Sequence, residues 1–177
     1  KLRNIVFMGM GEPLRNYDNL DTALKCLLNG SSFQFANKFI TVSSLGLPDL
    51  MVQFAEEFPQ VGMALSLNGY NDESRSLVMP INDRYPMADI RQTLVKLEKI
   101  RGASIMIEYI MFDGINDSLE AADAVAEFLK GLEVHINLIP FNADYSDDKG
   151  FQSSSPEVVE AFQQRLKGYG YKVTRRF

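Results

Sequence analysis

The sequence predicts an α/β fold built on a parallel sheet of six strands, either doubly wound or curled into a partial barrel. Short apolar runs alternate with helical patterns from end to end, and none of the connections between them is a tight hairpin. Crossovers of that length join parallel strands. A complete eight-unit barrel takes about 250 residues, so a chain of 177 residues has room for part of a barrel.

The predicted strands are short apolar runs that end in polar or glycine-rich turns, at residues 4–8, 39–43, 61–67, 104–112, 134–139 and 171–176. A first helix is predicted between an N-cap at Asp18 and a stop at Gly30. Further helices are predicted over residues 48–58, 72–78, 87–101 and 118–130, and from Pro156 onward. Asn71 and Ser155 are the predicted N-caps of two of these helices.

The composition is that of one globular domain over residues 1–177. Hydrophobic residues make up 46% and charged residues 23%, and the net charge of −5 argues against a large nucleic-acid surface within these residues. A single cysteine, Cys26, cannot form an internal disulfide, so a cytoplasmic location is expected. Its leucine-rich helix predicts a packed thiol. One Cys and one His, His135, rule out a metal site built from such ligands, and no apolar run could span a membrane.

The two ends of the chain indicate a piece of a longer protein. The sequence has no initiator Met and begins directly before an apolar run, and it stops inside the last predicted strand.

Polar residues follow nearly every predicted strand at its carboxyl end, where parallel α/β folds bind their ligands. They include Glu12, Ser43, Ser66, Asn68 and Asn142. This edge is rich in hydroxyl and amide groups and has Glu12 as its carboxylate. The pattern therefore favours a zwitterionic small molecule over a polyphosphate.

Each of these features also has a purely structural interpretation. Glu12 and Pro13 can simply begin a helix, because a carboxylate favours the helix dipole and proline presets the backbone. Serine and asparagine at strand ends often only form turns. Glu108 lies in an apolar strand, where an unpaired carboxylate would be costly to bury, so it is either functional or half of an ion pair.

Residues 6–14, Val-Phe-Met-Gly-Met-Gly-Glu-Pro-Leu, resemble the radical S-adenosylmethionine family that methylates adenine C2 in ribosomal RNA, which includes an antibiotic-resistance relative that methylates C8. The resemblance continues, in consistent order, through residues 41–43, 71–73, 80–82, 107–109, 136–142 and 169–171. It is strongest in the first of these stretches taken together with Ile-Asn-Leu-Ile-Pro-Phe-Asn at residues 136–142.

The resemblance implies a partial (β/α)6 TIM-like barrel, truncated at both ends relative to the family, whose carboxyl edge binds S-adenosylmethionine against a four-iron four-sulfur (4Fe-4S) cluster. The cofactor would supply a 5′-deoxyadenosyl radical, and the family passes the methyl group through an S-methylcysteine to the RNA base. The implied cofactor contacts are Gly11 and Glu12 with the amino group, Ser43 and Ser66 with the carboxylate or ribose, Leu67 and Asn68 beside them, and Asn142 with the adenine or ribose.

Three departures from the family bear on the chemistry. The cysteine loop CxxxCxxC that binds the cluster in the family would lie before residue 1, and the methyl-carrying cysteine would lie beyond the last strand. The chain therefore contains no catalytic residue and no metal ligand of the family, and alone it is expected to be inactive and to hold no stoichiometric cluster. Asn68 stands where the family usually has His, a divergence that concerns the RNA substrate.

The full-length protein is expected to be an enzyme acting on rRNA, with tRNA as a further candidate, and to use an electron donor such as flavodoxin. No membrane partner is expected, and the edge strand at residues 4–8 predicts self-association. One alternative is another radical S-adenosylmethionine enzyme, such as a glycyl-radical activating enzyme, whose usual Gly-Gly-Glu-Pro turn differs at Met10. The other is a binding module of the same fold that has lost the chemistry.

Overall fold

A six-stranded parallel sheet organises the fold. The computed structural model describes residues 2–101, 104–142 and 150–176. The strands pair in chain order from β1 to β6, and every pair is parallel. A doubly wound sheet would reverse its strand order midway, so this sheet is wound in one direction, as in a barrel. The strands are β1 Ile5–Phe7, β2 Ile40–Ser44, β3 Gly62–Ser66, β4 Ile105–Met111, β5 Val134–Pro140 and β6 Lys172–Arg175.

The sheet curves into a partial barrel. Among the described residues, β1 and β6 form its two edges and do not pair with each other. Residues from both edges nevertheless line one cavity of about 270 Å³ on the concave side, including Val6, Met8 and Thr174. Arg176 Nη1 lies 3.7 Å from the sulfur of Met8. The predicted partial barrel is thus confirmed.

Six helices accompany the strands in the described ranges: α1 Tyr17–Leu28, α2 Pro48–Glu57, α3 Asp72–Val78, α4 Met87–Arg101, α5 Leu119–Phe128 and α6 Pro156–Gly168. The predicted N-caps Asn71 and Ser155 are confirmed by hydrogen bonds from the backbone N–H of Ser74 and Val158. None of the helices within those ranges has the length and apolar character needed to cross a membrane.

Two sequence predictions about the first helix were wrong. The N-cap position is Asn16 rather than Asp18, because a 3₁₀ turn over Pro13–Asn16 precedes the helix and Tyr17 begins it. Asp18 instead lies in the first turn, where its charge favours the helix dipole. Cys26 is exposed rather than packed, since Leu20 and Leu24 occupy the buried side of α1.

The core lies between the outer face of the sheet and the helices. Side chains alternate between the two faces of a strand, and those on the outer face of β4 and β5 are fully buried, among them Ile107, Tyr109, Ile136 and Leu138. Their neighbours in sequence, such as Glu108 and Asn137, point to the concave side. The polar residues of the sheet are therefore directed toward the barrel interior and its carboxyl edge.

Candidate binding site at the carboxyl edge of the sheet

The turn after β1 opens the carboxyl edge. Gly9 and Gly11 adopt positive φ angles of 154° and 99°, which glycine tolerates far better than other residues. A Cβ atom at either position would meet nothing within 4 Å, and Met10 between them is fully exposed. The backbone of this turn is therefore open to a ligand. The turn also lines a groove of about 520 Å³ beside α1.

Glu12 joins two of the loops at this edge. Its Oε1 accepts a hydrogen bond from the backbone N–H of Leu14 at 3.1 Å, so it caps the 3₁₀ turn. Its Oε2 accepts one from the N–H of Leu45, in the turn after β2, at 2.6 Å. The structural interpretation of Glu12 and Pro13 is thus observed. Each carboxylate oxygen has further acceptor capacity for a ligand donor.

Ser43 and Ser66 lie on the concave side near the carboxyl ends of the neighbouring strands β2 and β3. Ser43 pairs in register with Ala64, and Ser66 pairs with Glu108, so both share the face that carries the polar side chains. Ser43 is buried and Ser66 is half-buried. The adjacent Ser44 instead accepts a hydrogen bond from the N–H of Gly46 and shapes the loop after β2.

Leu67 and Asn68 contribute mainly to the structure of the edge. The side chain of Leu67 lies fully in the core, its backbone N–H donates to the carbonyl of Glu108, and its carbonyl accepts from Arg75. Asn68 has φ 53°, a left-handed conformation that asparagine tolerates. Its Oδ1 accepts from the N–H of Ile110 at 2.9 Å, and its carbonyl accepts from Nδ2 of Asn116 at 3.0 Å. Asn68 therefore ties the ends of β3 and β4 together.

Asn142 lies just beyond β5 and is exposed. Beside it Phe141 packs against Phe112 with ring centroids 4.7 Å apart, and Phe151 meets both rings. The loop that follows, residues 143–149, lies outside the described residues. Asn142 thus lies at the same edge of the sheet as Glu12 and Ser66. Glu12 follows β1 and Asn142 follows β5, so the two residues lie far apart along this edge.

A buried arginine on α3 stabilises the loops of this edge, and the sequence analysis did not predict it. Arg75 on α3 is completely buried and donates to the carbonyl of Leu67 at 3.1 Å and to that of Leu45 at 2.7 Å. It also donates to Asn82 Oδ1 at 2.8 Å and to the carbonyl of Tyr85. Burial lowers the pKa of Arg75 to about 10, so the guanidinium stays charged at neutral pH. It holds the loops after β2 and β3 in place.

The described residues do not fit an iron–sulfur cluster. No group of three or more His, Cys, Asp or Glu within them could hold a metal ion. Cys26 is exposed on α1, away from the carboxyl ends of the strands. Such clusters need several thiolates, so no step through a cluster is assigned to these residues. The open edge, in contrast, offers an exposed glycine turn and polar side chains, which are the kinds of group that S-adenosylmethionine would need.

The fold is that of solved radical S-adenosylmethionine proteins. A solved radical SAM methyltransferase from Sphaerobacter thermophilus superimposes with a TM-score of 0.94 at 37% identity, over 99% of this chain and 51% of that one. A domain of pyruvate-formate lyase-activating enzyme from Bacteroides vulgatus has a TM-score of 0.71 at 22% identity, covering 98% of this chain and 99% of that one. The second likeness shows the fold alone.

Sequence comparison finds homologues among RNA methyltransferases. The chain is 41% identical over 165 residues to "Dual-specificity RNA methyltransferase RlmN" of Anaeromyxobacter dehalogenans, covering 93% of this chain and 44% of that protein. A "Probable dual-specificity RNA methyltransferase RlmN" of Bacillus licheniformis is 36% identical over 99% of the chain and 48% of its own length. No family model matches. The chain is homologous to radical S-adenosylmethionine RNA methyltransferases and spans about half the length of these relatives.

Proposed function

We propose that residues 1–177 are the S-adenosylmethionine-binding core domain of an RNA methyltransferase. The observation that carries this proposal is the open Gly-Met-Gly-Glu-Pro turn, placed at the carboxyl edge of a barrel-type sheet. The residues proposed to hold the cofactor are Gly11, Glu12, Ser43, Ser66, Leu67, Asn68 and Asn142. S-adenosylmethionine supplies the methyl group and the radical chemistry, in the full-length protein together with a 4Fe-4S cluster and an electron donor such as flavodoxin.

Residues that follow different strands are proposed to bind different parts of the cofactor. Glu12 is proposed to accept from the ammonium group, because its carboxylate is already fixed by Leu14 and Leu45 and has acceptor capacity left. Asn142, at the other end of the edge, is proposed to hydrogen-bond the adenosine. Phe141 beside it, which is half-buried and packs on the buried Phe112, offers an apolar surface for a base.

The proposed reaction is methylation of adenine C2 in 23S rRNA, with tRNA as a second substrate. The relatives' names support RNA as the methyl acceptor. They also favour this family over a glycyl-radical activating enzyme, since the likeness to that group is limited to the fold.

The test uses the full-length gene product, reconstituted anaerobically, with 23S rRNA and tRNA and S-adenosylmethionine carrying a labelled methyl group. We expect 2-methyladenosine in the digested RNA, identified by mass spectrometry against 2- and 8-methyladenosine standards. Label at C8 would instead show that the protein acts like the C8-methylating relative. Cofactor binding without methyl transfer to RNA would favour the binding-module alternative.

We also propose that the free edge of β1 mediates self-association of the chain. Among the described residues β1 pairs only with β2, and Val6 in its middle is about half exposed. Free strand edges pair with other chains, and a charged side chain opposes this. We expect the sedimentation coefficient to rise with concentration and Val6→Lys to abolish the rise. Leu77→Lys, at a similarly exposed apolar residue on α3, is the matched control. A rise that survives Val6→Lys would contradict the proposal.

A further inference from the structure

Four polar side chains form a row across the concave face of the sheet. Register pairs Glu108 on β4 with Ser66 on β3 and with Asn137 on β5. Asn137 pairs in turn with Thr174 on β6, whose hydroxyl donates to Asn137 Oδ1 at 3.2 Å. Ser66, Glu108, Asn137 and Thr174 constitute the inner row. In its middle lies a carboxylate that the site described above does not use.

The carboxylate of Glu108 is buried but only partly hydrogen-bonded. Its residue is 7% exposed, and its Oε1 has no hydrogen-bond partner among the described residues. Burial raises the pKa of Glu108, while a hydrogen bond from Asn137 and the positive charge of Arg176 act in the opposite direction. Leaving a buried acceptor unpaired is costly, and native structures rarely do so. Oε1 is therefore suited to a donor that arrives with a ligand.

Glu108 faces space that such a group can enter. It lines the cavity of about 270 Å³ on the concave side, with Met106 and Asn137 beside it and Arg176 at its border. This volume suits part of a ligand rather than a whole nucleoside cofactor, whose binding pockets usually exceed about 300 Å³. The ligand would therefore extend a polar group inward from the carboxyl edge, past Ser66, which is one strand spacing of about 4.8 Å from Glu108.

The order of the strands indicates which group that is. If Glu12 after β1 binds the ammonium and Asn142 after β5 binds the adenine side, the ribose between them lies over β3 and β4. These are the strands of Ser66 and Glu108. Carboxylates are common acceptors for ribose hydroxyls in nucleotide-binding proteins. Positive charge near Glu108 comes from Arg176, and Lys38 lines the same cavity.

We propose that Glu108 binds the cofactor by accepting a hydrogen bond from a ribose hydroxyl of S-adenosylmethionine, an inference that rests on the function proposed above. Ser66 and Glu108 then hold the sugar from adjacent strands. Asn137 orients the Glu108 carboxylate by a hydrogen bond to it, and Thr174 orients Asn137.

The test compares adenosine with 2′,3′-dideoxyadenosine, which lacks both ribose hydroxyls, by calorimetric titration of the protein. Glu108→Gln keeps the size of the side chain but removes its charge. We expect it to weaken adenosine binding about tenfold, the effect of losing one charge-assisted hydrogen bond, and to leave dideoxyadenosine binding unchanged. The melting temperature should stay the same or rise, because a buried charge is removed. Glu56→Gln on the exposed face of α2 is the matched control and should change neither affinity.

Two results would overturn the inference: unchanged adenosine affinity in Glu108→Gln, or an equal loss for both nucleosides. Should Glu108→Gln fail to fold, Glu108→Asp retains the charge but withdraws it by one methylene, and the same difference between ligands is expected. If the unaltered protein binds neither S-adenosylhomocysteine nor adenosine, the proposed function fails and this inference fails with it. If the unaltered protein binds adenosine and Glu108→Gln leaves that affinity unchanged, this inference alone is overturned and the proposed function stands.

Discussion

Replacing Arg75 by Met is expected to lower the free energy of unfolding by more than about 3 kcal/mol, as is usual when one partner is removed from a buried charged network. The variant keeps most of the side-chain volume but leaves four acceptors without this donor. Two of them are buried, the carbonyl of Leu67 and the side chain of Asn82, and two are partly buried, the carbonyls of Leu45 and Tyr85. Urea denaturation monitored by circular dichroism measures the change.

The matched control is Arg84→Met. Arg84 is exposed and lies two residues from Asn82, and its guanidinium contacts the ring of Tyr85 at 5.2 Å. Its replacement should cost less than about 1 kcal/mol, the usual contribution of an exposed cation–π contact. Similar losses for the two arginines would show that the buried hydrogen bonds of Arg75 contribute little.

The consequence of losing Arg75 reaches the proposed cofactor site. Arg75 binds the carbonyl of Leu45, and the N–H of Leu45 binds Glu12. Arg75 is therefore a positioning residue, because it acts on the proposed ligand only through the loops after β2 and β3. Arg75→Lys, which retains a charged donor, should recover part of the stability.

The alternation of strands and helices could be predicted because each element depends on local sequence. The strands of a covered parallel sheet are apolar runs, and the N-caps Asn71 and Ser155 are recognisable by residue type. The choice between a doubly wound sheet and a barrel could not be made from those runs. It depends on strand order, which only the family resemblance suggested and the pairing from β1 to β6 confirmed.

The site could be predicted less completely, because its support comes from distant residues. In the sequence, Asn-Asp-Glu at 71–73 predicts only the capped start of a helix, and Pro-Ile-Asn at 80–82 has significance only as part of the resemblance. In the structure Asn82 Nδ2 donates to the carbonyl and side chain of Asp72, while its Oδ1 accepts from Arg75. A lone arginine on a short helix resembles a surface residue in sequence. Its burial follows from acceptors as far as 30 residues away, such as Leu45.

The role of Glu12 could also be predicted only in part from the sequence. Its position before Pro13 predicts a cap, and the capping bond to Leu14 exists. The second bond, to Leu45, joins positions 33 residues apart and follows from the pairing of β1 with β2. A cap alone would make Glu12 worth a few tenths of a kcal/mol. The carboxylate of Glu12 accepts from two backbone N–H groups. Its replacement by Gln should lower the free energy of unfolding by about 1–3 kcal/mol, because the NH2 group of Gln would face one of these N–H groups and both are donors.

Glu12→Gln and Asn142→Ala are expected to affect the two ends of the cofactor differently. If Glu12 receives the ammonium group, Glu12→Gln should weaken S-adenosylhomocysteine binding about ten- to a hundredfold, the effect of losing a charge-assisted hydrogen bond of roughly 1.5–3 kcal/mol. It should spare 5′-deoxyadenosine, which has no amino group. Asn142→Ala should weaken both ligands, because both contain the adenosine. Calorimetric titration of both variants with both ligands measures this pattern.

The crossed pattern separates ligand contact from loss of structure. A loosened loop after β1 would weaken both ligands in Glu12→Gln, since the same edge supports the whole cofactor. Glu73→Gln in the first turn of α3 is the matched control, because it removes an exposed negative charge from the helix that follows β3. It should leave both affinities unchanged. Equal effects of Glu12→Gln on S-adenosylhomocysteine and 5′-deoxyadenosine would mean that Glu12 acts only through its bonds to Leu14 and Leu45.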